Sequence, residues 1–245
     1  MTTRRVGIVC ALRSEARHLG RITSPPATVQ PLADGNLRVL SGAGMGAAAA
    51  GARALLSAGA DALLSFGLAG GLDPDLSAGR IIVPAEVLGP DRTVSGCDAP
   101  WREHLAAALA THAPVGGRLA SVVAPLASAA AKRALFEASG ACAVDMESAA
   151  IARVAEGGGV PCAVVRVVVD RAGDPVPAAV LAAMDAAGEV SPWRLCGLLL
   201  RDPGQLGALL RLARNFILAG RSLRTVARSG ALTPQLPPVP IAGAQ

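Results

Sequence analysis

The sequence predicts a doubly wound α/β fold, in which helices cover both faces of a mixed sheet. Two observations support this prediction. Short apolar runs rich in β-branched residues alternate with Ala/Leu-rich stretches of helical character along most of the chain. Several of these runs are apolar throughout, as is typical of strands that are buried on both faces. The predicted strands lie at residues 5–10, 37–41, 62–66, 80–83, 118–123 and 162–169.

The chain divides into three parts by composition. Its 245 residues are enough for one sizeable core, and the alternating pattern predicts a single domain over residues 1–190. Residues 191–230 are rich in Ala, Leu and Arg and predict amphipathic helices. Residues 231–245 are rich in proline and predict a disordered tail.

The main C-terminal helix is expected over residues 205–229, between Pro203 and Gly230, which are typical of helix ends. Its apolar residues share one face and its arginines gather on a flank. The face is formed by Leu206, Leu209, Leu210, Ala213 and Ile217, and the flank by Arg211, Arg214, Arg221 and Arg228. Two interpretations stay open. The helix packs on the domain or in an oligomer interface, or it rests on a membrane surface and admits a lipidic substrate.

Hydropathy argues against a membrane-spanning protein. Apolar residues make up 52% of the chain, yet no uninterrupted apolar run reaches the roughly 18 to 20 residues that a spanning helix needs. The apolar N-terminal stretch is broken by Arg13 and Glu15, so we interpret it as a strand and a helix rather than a signal peptide. We therefore expect a cytoplasmic protein.

Composition also argues against nucleic-acid and metal binding. The net charge is +5, but aromatic residues are only 2% of the chain, so the stacking surfaces of a single-strand binder are not expected. The cysteines are widely separated, with no CxxC pair and no nearby histidine cluster. We expect neither a metal site nor a disulfide framework.

Two glycine-rich segments follow predicted strands. The first, SGAGMGAAAAGA at residues 41–52, opens a helix, and Gly42, Gly44 and Ala47 fit the dinucleotide-binding pattern. No acidic residue ends the next strand to hold a ribose, which disfavours an NAD-dependent oxidoreductase. The second segment, at residues 67–79, begins GLAGG, and we interpret it as a turn at the carboxyl end of a strand, where open α/β sheets bind ligands.

Two acidic residues follow apolar runs in the second half of the chain. Asp170 comes directly after the run CAVVRVVV, which puts a carboxylate at the rim of the predicted sheet. Glu147 opens a helix after a shorter apolar run, and helix capping is an alternative role for it.

Together with the N-terminal segment GIVCALRSEA, these segments resemble the superfamily of purine nucleoside phosphorylases and methylthioadenosine/S-adenosylhomocysteine nucleosidases. The resemblance covers roughly residues 6–174, in the order strand, SGAG, GLAGGL, VDMES and VRVVVD. It implies a three-layer fold, cleavage of an N-glycosidic bond and a homo-oligomer. It also implies roles for single residues: Met146 lies against the ribosyl group, Glu147 grips the ribose hydroxyls, Asp170 protonates N7 of the purine and Glu15 helps to activate water.

The chemistry explains these residue types. A purine anion is a poor leaving group, so an acid held protonated in a partly apolar site lowers the barrier by donating a proton to N7. The departing base leaves positive charge on the ribose, which a carboxylate and a nearby nucleophile stabilise in the transition state. No cofactor is implied, and phosphate is a candidate co-substrate.

The chain also departs from the usual family pattern. Leu68 stands where a serine is usual in GSAGG, Val169 stands before Asp170 in place of a serine, and SVVAPL at residues 121–126 replaces a segment with a base-stacking aromatic residue. These differences leave the handling of the nucleophile and the base open. The expected substrate contacts are Gly44, Leu68, Ala69, Gly70, Leu126, Met146 and Glu147.

The departures and the C-terminal segment look most like the hopanoid-associated phosphorylase subgroup. This resemblance implies release of adenine from adenosylhopane, a lipidic nucleoside, with peripheral contact to the inner membrane face. One alternative is a methylthioadenosine/S-adenosylhomocysteine nucleosidase. An alternative of another class is a nucleoside-binding protein without activity, because fold alone does not fix function.

Overall fold

The computed structural model describes residues 5–176, 178–183, 204 and 206–233. The stretch 184–203, which includes Pro203, and residues 234–245 of the predicted tail lie outside the described residues. The predicted tail begins too early, because Ala231 and Leu232 are buried in the main core. The described strands are β1 (Val6–Cys10), β2 (Val29–Pro31), β3 (Leu37–Leu40), β4 (Ala62–Gly71), β5 (Ile81–Ile82), β6 (Glu86–Leu88), β7 (Val94–Gly96), β8 (Arg118–Ser121), β9 (Ala143–Asp145) and β10 (Cys162–Asp170). The helices are α1 (Arg13–Ala16), α2 (Met45–Ser57), α3 (Ala99–Ala108), α4 (Ala129–Ser139), α5 (Ser148–Gly157), α6 (Ala178–Ala183) and α7 (Leu206–Arg228).

All ten described strands join in one mixed sheet. Its order is β2-β3-β1-β4-β9-β8-β6-β7, and β10 pairs with both β4 and β5. The centre of the sheet is parallel, because β4 runs in the same direction as β1 on one side and β10 on the other. The carboxyl ends of these three strands therefore meet at one edge, which is where open α/β sheets bind ligands.

Helices cover both faces of the sheet, as the sequence predicts. On one face, β1, β4 and β10 pack against α3 and the C-terminal half of α7, with Trp101 and Leu223 fully buried. On the other face, α2 and α5 pack on the sheet through Leu55 and Ile151. Alternate residues of β1 enter the two layers, Ile8 facing the first and Val9 the second. The predicted three-layer α/β fold is confirmed.

The glycine-rich segment at residues 67–71 is part of β4 rather than the turn expected from its composition. It continues the parallel pairing with β10 and then pairs antiparallel with β9, where Gly70 faces Val144. Glycine is needed here for close packing, since a Cβ atom at Gly67 would collide with the Arg166 guanidinium and the Glu15 carboxyl group. The turn prediction was wrong for residues 67–71 and holds for residues 72–79, because composition alone does not distinguish a tight turn from a closely packed strand.

Helix α7 matches its predicted extent within a residue at each end, but the face that it buries is not the predicted one. The buried face carries Ala219, Leu223 and Val226, which belong to the main core. On the apolar face identified from the sequence, Leu206 is 51% exposed, Leu210 63% and Ile217 60%, so this face does not pack on the described part of the domain. No helix in the described part of the chain has the length and apolarity required to cross a bilayer.

Candidate functional site

A cavity of about 220 Å³ lies at the carboxyl edge of the central strands. Its walls come from the segments that follow β1, β3, β8 and β9, from the ends of β4 and β10, and from α4, α6 and α7. Most of the lining side chains are apolar, and four are acidic: Glu15, Asp145, Glu147 and Asp170. Eight of the nine residues expected from the sequence line this cavity: Glu15, Leu68, Ala69, Gly70, Leu126, Met146, Glu147 and Asp170.

Glu15 is held by backbone groups from two segments. It sits in α1, directly after β1, and only 2% of it is exposed. Its Oε2 accepts hydrogen bonds from the N–H groups of Ala11 and Leu12, both at 2.9 Å, and its Oε1 accepts one from Leu68 at 2.8 Å. Burial raises the pKa of Glu15, whereas Arg166 and these N–H donors lower it. The carboxyl group is thus fixed in place beside the end of β4.

Glu147 stands at the start of α5, but its side chain does not cap that helix. Asp145 does so instead, accepting the N–H of Ser148 at 3.1 Å. The Oε1 atom of Glu147 accepts the N–H of Gly44 at 2.9 Å, which ties the start of α5 to the start of α2. Gly44, the ninth expected residue, therefore supports the site through Glu147 and is not itself part of the cavity wall. The pKa of Glu147 is raised to about 7. Burial is the main cause and Asp145 also raises the pKa, whereas Arg166 lowers it.

Arg166, in the middle of β10, joins the acidic residues and was not among the expected site residues. Its guanidinium is 2.6 Å from Oδ2 of Asp145 and 3.5 Å from Oε2 of Glu147. It also donates to the hydroxyl of Ser65 at 2.9 Å. Burial alone would lower the pKa of Arg166, but the carboxyl groups of Asp145, Glu147 and Glu15 raise it. A charged residue in an otherwise apolar strand is the sequence signal that could have identified it, because a buried charge needs a partner.

Asp170 ends β10 at a β-bulge. The pairing with β4 passes from Val168 opposite Ala69 to Asp170 opposite Gly70, so Val169 is an extra residue. Val169 and Asp170 both line the cavity. Burial raises the pKa of Asp170, a Lys132 ion pair lowers it, and Asp174 raises it. Lys132, from α4, is a second residue that the sequence reasoning missed.

Apolar side chains line the remainder of the cavity. The SVVAPL segment, which carries no aromatic residue, contributes Val122, Pro125 and Leu126 to the wall. Helix α7 adds Leu212 and Phe216, so Phe216 is the one aromatic side chain among the described residues of the wall. The expected site therefore lies in a largely apolar pocket with four acidic side chains in its wall.

The sequence places this architecture in a known family. A sequence profile of the phosphorylase superfamily matches residues 5–192 of the chain. The chain belongs to the phosphorylase superfamily. No curated protein matches this superfamily member in sequence.

Solved structures with the same fold are nucleosidases and a related hydrolase. The 5′-methylthioadenosine/S-adenosylhomocysteine nucleosidase of Neisseria meningitidis, in complex with methylthio-immucillin-A, matches with a TM-score of 0.69 at 19% identity, covering 93% of this chain and 99% of that one. The corresponding Helicobacter pylori enzyme gives a TM-score of 0.68 at 18% identity, covering 94% and 97%. Futalosine hydrolase of Helicobacter pylori matches with a TM-score of 0.65 at 17% identity, covering 91% of this chain and 97% of that one. At these identities, the matches establish the fold of this superfamily member.

Proposed function

We propose that this protein cleaves the N-glycosidic bond of a purine nucleoside-like compound and releases the free base. One observation carries the proposal. The carboxyl groups of Glu15, Glu147 and Asp170, which come from three distant segments, meet in one cavity at the carboxyl edge of the sheet. Membership of the phosphorylase superfamily and the fold shared with nucleosidases support it.

The roles of the three acids follow from their surroundings. Burial favours the neutral form of Asp170, so this side chain is suited to donate a proton to N7 of the base. Glu147 is anchored by Gly44 and Arg166, so its carboxylate can hold the ribose hydroxyls. Met146, beside it in the wall, would lie against the ribosyl group. Both acids would act most strongly on the charge that develops as the bond breaks.

We infer that water, rather than phosphate, is the nucleophile. Lys132 is the only cationic side chain in the described part of the cavity wall, and it is already paired with Asp170. A phosphate dianion would meet the carboxyl groups of Glu15 and Glu147 without a free cation to balance its charge. Water has no such penalty, and the fixed carboxyl group of Glu15 can orient it and accept its proton.

The apolar entrance supports a lipidic substituent on the substrate, as in adenosylhopane. Leu212 and Phe216 extend the pocket from α7, and Leu206, Leu210 and Ile217 on the same helix are exposed. Apolar side chains in such an arrangement suit a substrate that is delivered from a membrane. We infer on this basis a protein of the cytoplasm that contacts the inner membrane face. We also propose that the protein is a homo-oligomer, as the family resemblance implies. Gel filtration tests this oligomeric state.

Substrate comparison tests the proposed function. Adenine release is measured from adenosylhopane, from methylthioadenosine and, with hypoxanthine as product, from inosine, each with and without phosphate. We expect the highest kcat/KM with adenosylhopane and no dependence on phosphate. A preference for methylthioadenosine would indicate an ordinary nucleosidase, and a strict requirement for phosphate would overturn water as nucleophile. Binding of all three compounds without base release would indicate a nucleoside-binding protein.

Glu147→Gln tests the proposed ribose contact. The change removes the charge but keeps the shape, so it should impair ribonucleosides far more than 2′-deoxyribonucleosides, which lack the 2′-hydroxyl that the carboxylate would hold. Because the pKa of Glu147 is raised to about 7, kcat/KM of the wild type should rise with pH through about 7 as the carboxylate forms, and the variant should lose this rise. The control is Glu156→Gln, an exposed glutamate on the same helix. Equal losses on both classes of substrate would contradict the role.

The arginines of α7 provide a test of membrane contact. All four predicted residues are exposed, and each should contribute roughly 1 kcal/mol to binding an anionic surface. Replacing them together with glutamine should abolish flotation with anionic vesicles at low salt, while cleavage of a soluble nucleoside persists. The changed residues are Arg211, Arg214, Arg221 and Arg228, and a control variant with the same charge loses exposed Arg21, Arg53, Arg92 and Arg133 instead. If both variants lose flotation equally, net charge rather than α7 governs attachment.

A further inference from the structure

Lys132 is the only lysine of the chain, and it is almost completely inaccessible to solvent. It lies in α4, and its ammonium group forms an ion pair with Oδ2 of Asp170. Only 1% of the lysine side chain and 11% of the aspartate side chain are exposed. A buried cation is costly unless it is paired, so this pair requires a functional or structural reason.

Every donor of the ammonium group is in use. Besides Oδ2 of Asp170, it donates to the backbone oxygen of Arg171 at 2.7 Å and to that of Asp174 at 3.0 Å. An ammonium group has three N–H donors, and these contacts occupy all of them. Lys132 therefore has no donor left for a ligand, and any effect that it has on a substrate passes through Asp170 and the segment that follows it.

The two oxygens of Asp170 are not equivalent. Oδ2 accepts from Lys132, whereas Oδ1 receives no hydrogen bond from any other residue that the structure describes; the backbone N–H of Asp170 itself also lies beside the carboxyl group and lowers its pKa. When the acid is neutral, its proton is favoured on Oδ1, because a proton on Oδ2 would face the N–H donor of Lys132. The ion pair thus selects one oxygen to carry the exchangeable proton.

We propose that Lys132 is a positioning residue, which holds Oδ2 of Asp170 so that Oδ1 is the atom that gives its proton to the base. This inference rests on the proposed function. In the step, the proton leaves Oδ1 and forms a bond with N7, while the electrons of the breaking C1′–N9 bond pass to the purine. The resulting Asp170 carboxylate is stabilised by the adjacent ammonium group. The attacking water gives its proton to Glu15, which releases it to solvent, and a proton from solvent restores the Asp170 acid.

The ion pair also predicts the direction of a pH effect. The charged groups that act on Asp170 are Lys132 from α4 and Asp174 from the segment after β10. Activity requires the neutral acid, so it should fall as pH rises through the pKa of Asp170. Lys132 stabilises the carboxylate and lowers this pKa, so its removal should move the fall in activity to higher pH.

Lys132→Met removes the cation and keeps most of the side-chain length. We expect the alkaline limb of kcat/KM to move up by about 1 to 3 pH units, which is the range for losing an adjacent opposite charge. We expect kcat at lower pH to fall by up to about 10²-fold, because the acid is no longer held in position. The control, Arg133→Met, removes an exposed cation from the same helix and should leave both quantities unchanged.

A double-mutant cycle separates positioning of the acid from a general structural role. In the Asp170→Asn background, Lys132→Met should cause no further loss of kcat, because the group through which it acts has gone. Additive losses, or an alkaline limb that stays in place, would overturn the proposal. If Lys132→Met does not fold, Lys132→Arg replaces it: with the cation kept, the limb should stay at the wild-type position while kcat falls. A limb that moves in that variant would overturn the proposal.

The ion pair can also be tested without any substrate. The infrared band of the protonated Asp170 carboxyl group, identified by its loss in Asp170→Asn, is followed against pH. It should persist to higher pH in Lys132→Met than in the wild type. An identical titration in both proteins would overturn the inference. A shifted titration in a protein that releases no base would instead support the ion pair and refute the proposed function, so the two failures are distinguishable.

Discussion

Replacing Asp170 with asparagine is expected to lower kcat for base release by about 10²- to 10⁴-fold, the usual contribution of a general acid. The amide keeps the shape of the side chain but has no proton to give to N7. KM should change much less, because the lost interaction develops mainly in the transition state. Steady-state kinetics with the best substrate, compared over a range of pH, measure both quantities.

The pH dependence makes the Asp170 test specific. The wild type should lose activity as pH rises through the pKa of Asp170, whereas the residual activity of the variant should lack this limb. Asp75→Asn is the matched control, because Asp75 is an exposed aspartate on the segment after β4. Near-normal turnover in Asp170→Asn with an unchanged pH profile would refute the acid role.

Arg166→Met should destabilise the folded protein by about 3 to 5 kcal/mol, as expected when one partner of a buried ionic cluster is removed. The methionine leaves Asp145, Glu147 and Glu15 close together without the cation that balances them. Denaturant unfolding measures the loss. Arg153→Met removes the exposed partner of Asp91, should cost far less stability because the pair is solvated, and serves as the control.

The stability of Arg166→Met should also depend on pH in a defined direction. Without the cation, the pKa values of Glu15 and Glu147 rise further above their unfolded values, so the folded state binds more protons than the unfolded state. Its free energy of unfolding relative to the wild type should therefore recover as pH falls and the acids become neutral. A deficit that is the same at every pH would show that lost packing, rather than charge, causes it.

The strands and the acids at their ends could be predicted from the sequence for a physical reason. Apolar runs report burial on both faces of a sheet, and parallel strands bring the residues after such runs to one edge. The short strands β2, β6, β7 and β9 were missed, because three residues are too few to show a period of two. The resemblance to known sequences, rather than periodicity, singled out Glu15 and Glu147.

Arg166 and Lys132 could not be assigned partners from the sequence. The ion pair of Lys132 joins residues 38 positions apart, and that of Arg166 with Asp145 depends on the packing of β9 near β10. Nothing local in an alanine-rich helix shows that its lysine is buried. The buried face of α7 could not be identified for a related reason. The helix has apolar residues on two faces, and the sequence does not show which of them meets the core.

The bulge at the end of β10 makes the position of the acid depend on the number of residues before it. In a regular strand each residue advances the pairing by one position, so Asp170 would lie one position beyond Gly70. The extra residue after Val168 keeps Asp170 opposite Gly70 instead. Exchanging one side chain for another at this point leaves the count intact, whereas inserting one more residue before Asp170 would move the carboxyl group along the strand or require a larger bulge. Members of the superfamily that have this acid should therefore tolerate substitution here far better than insertion.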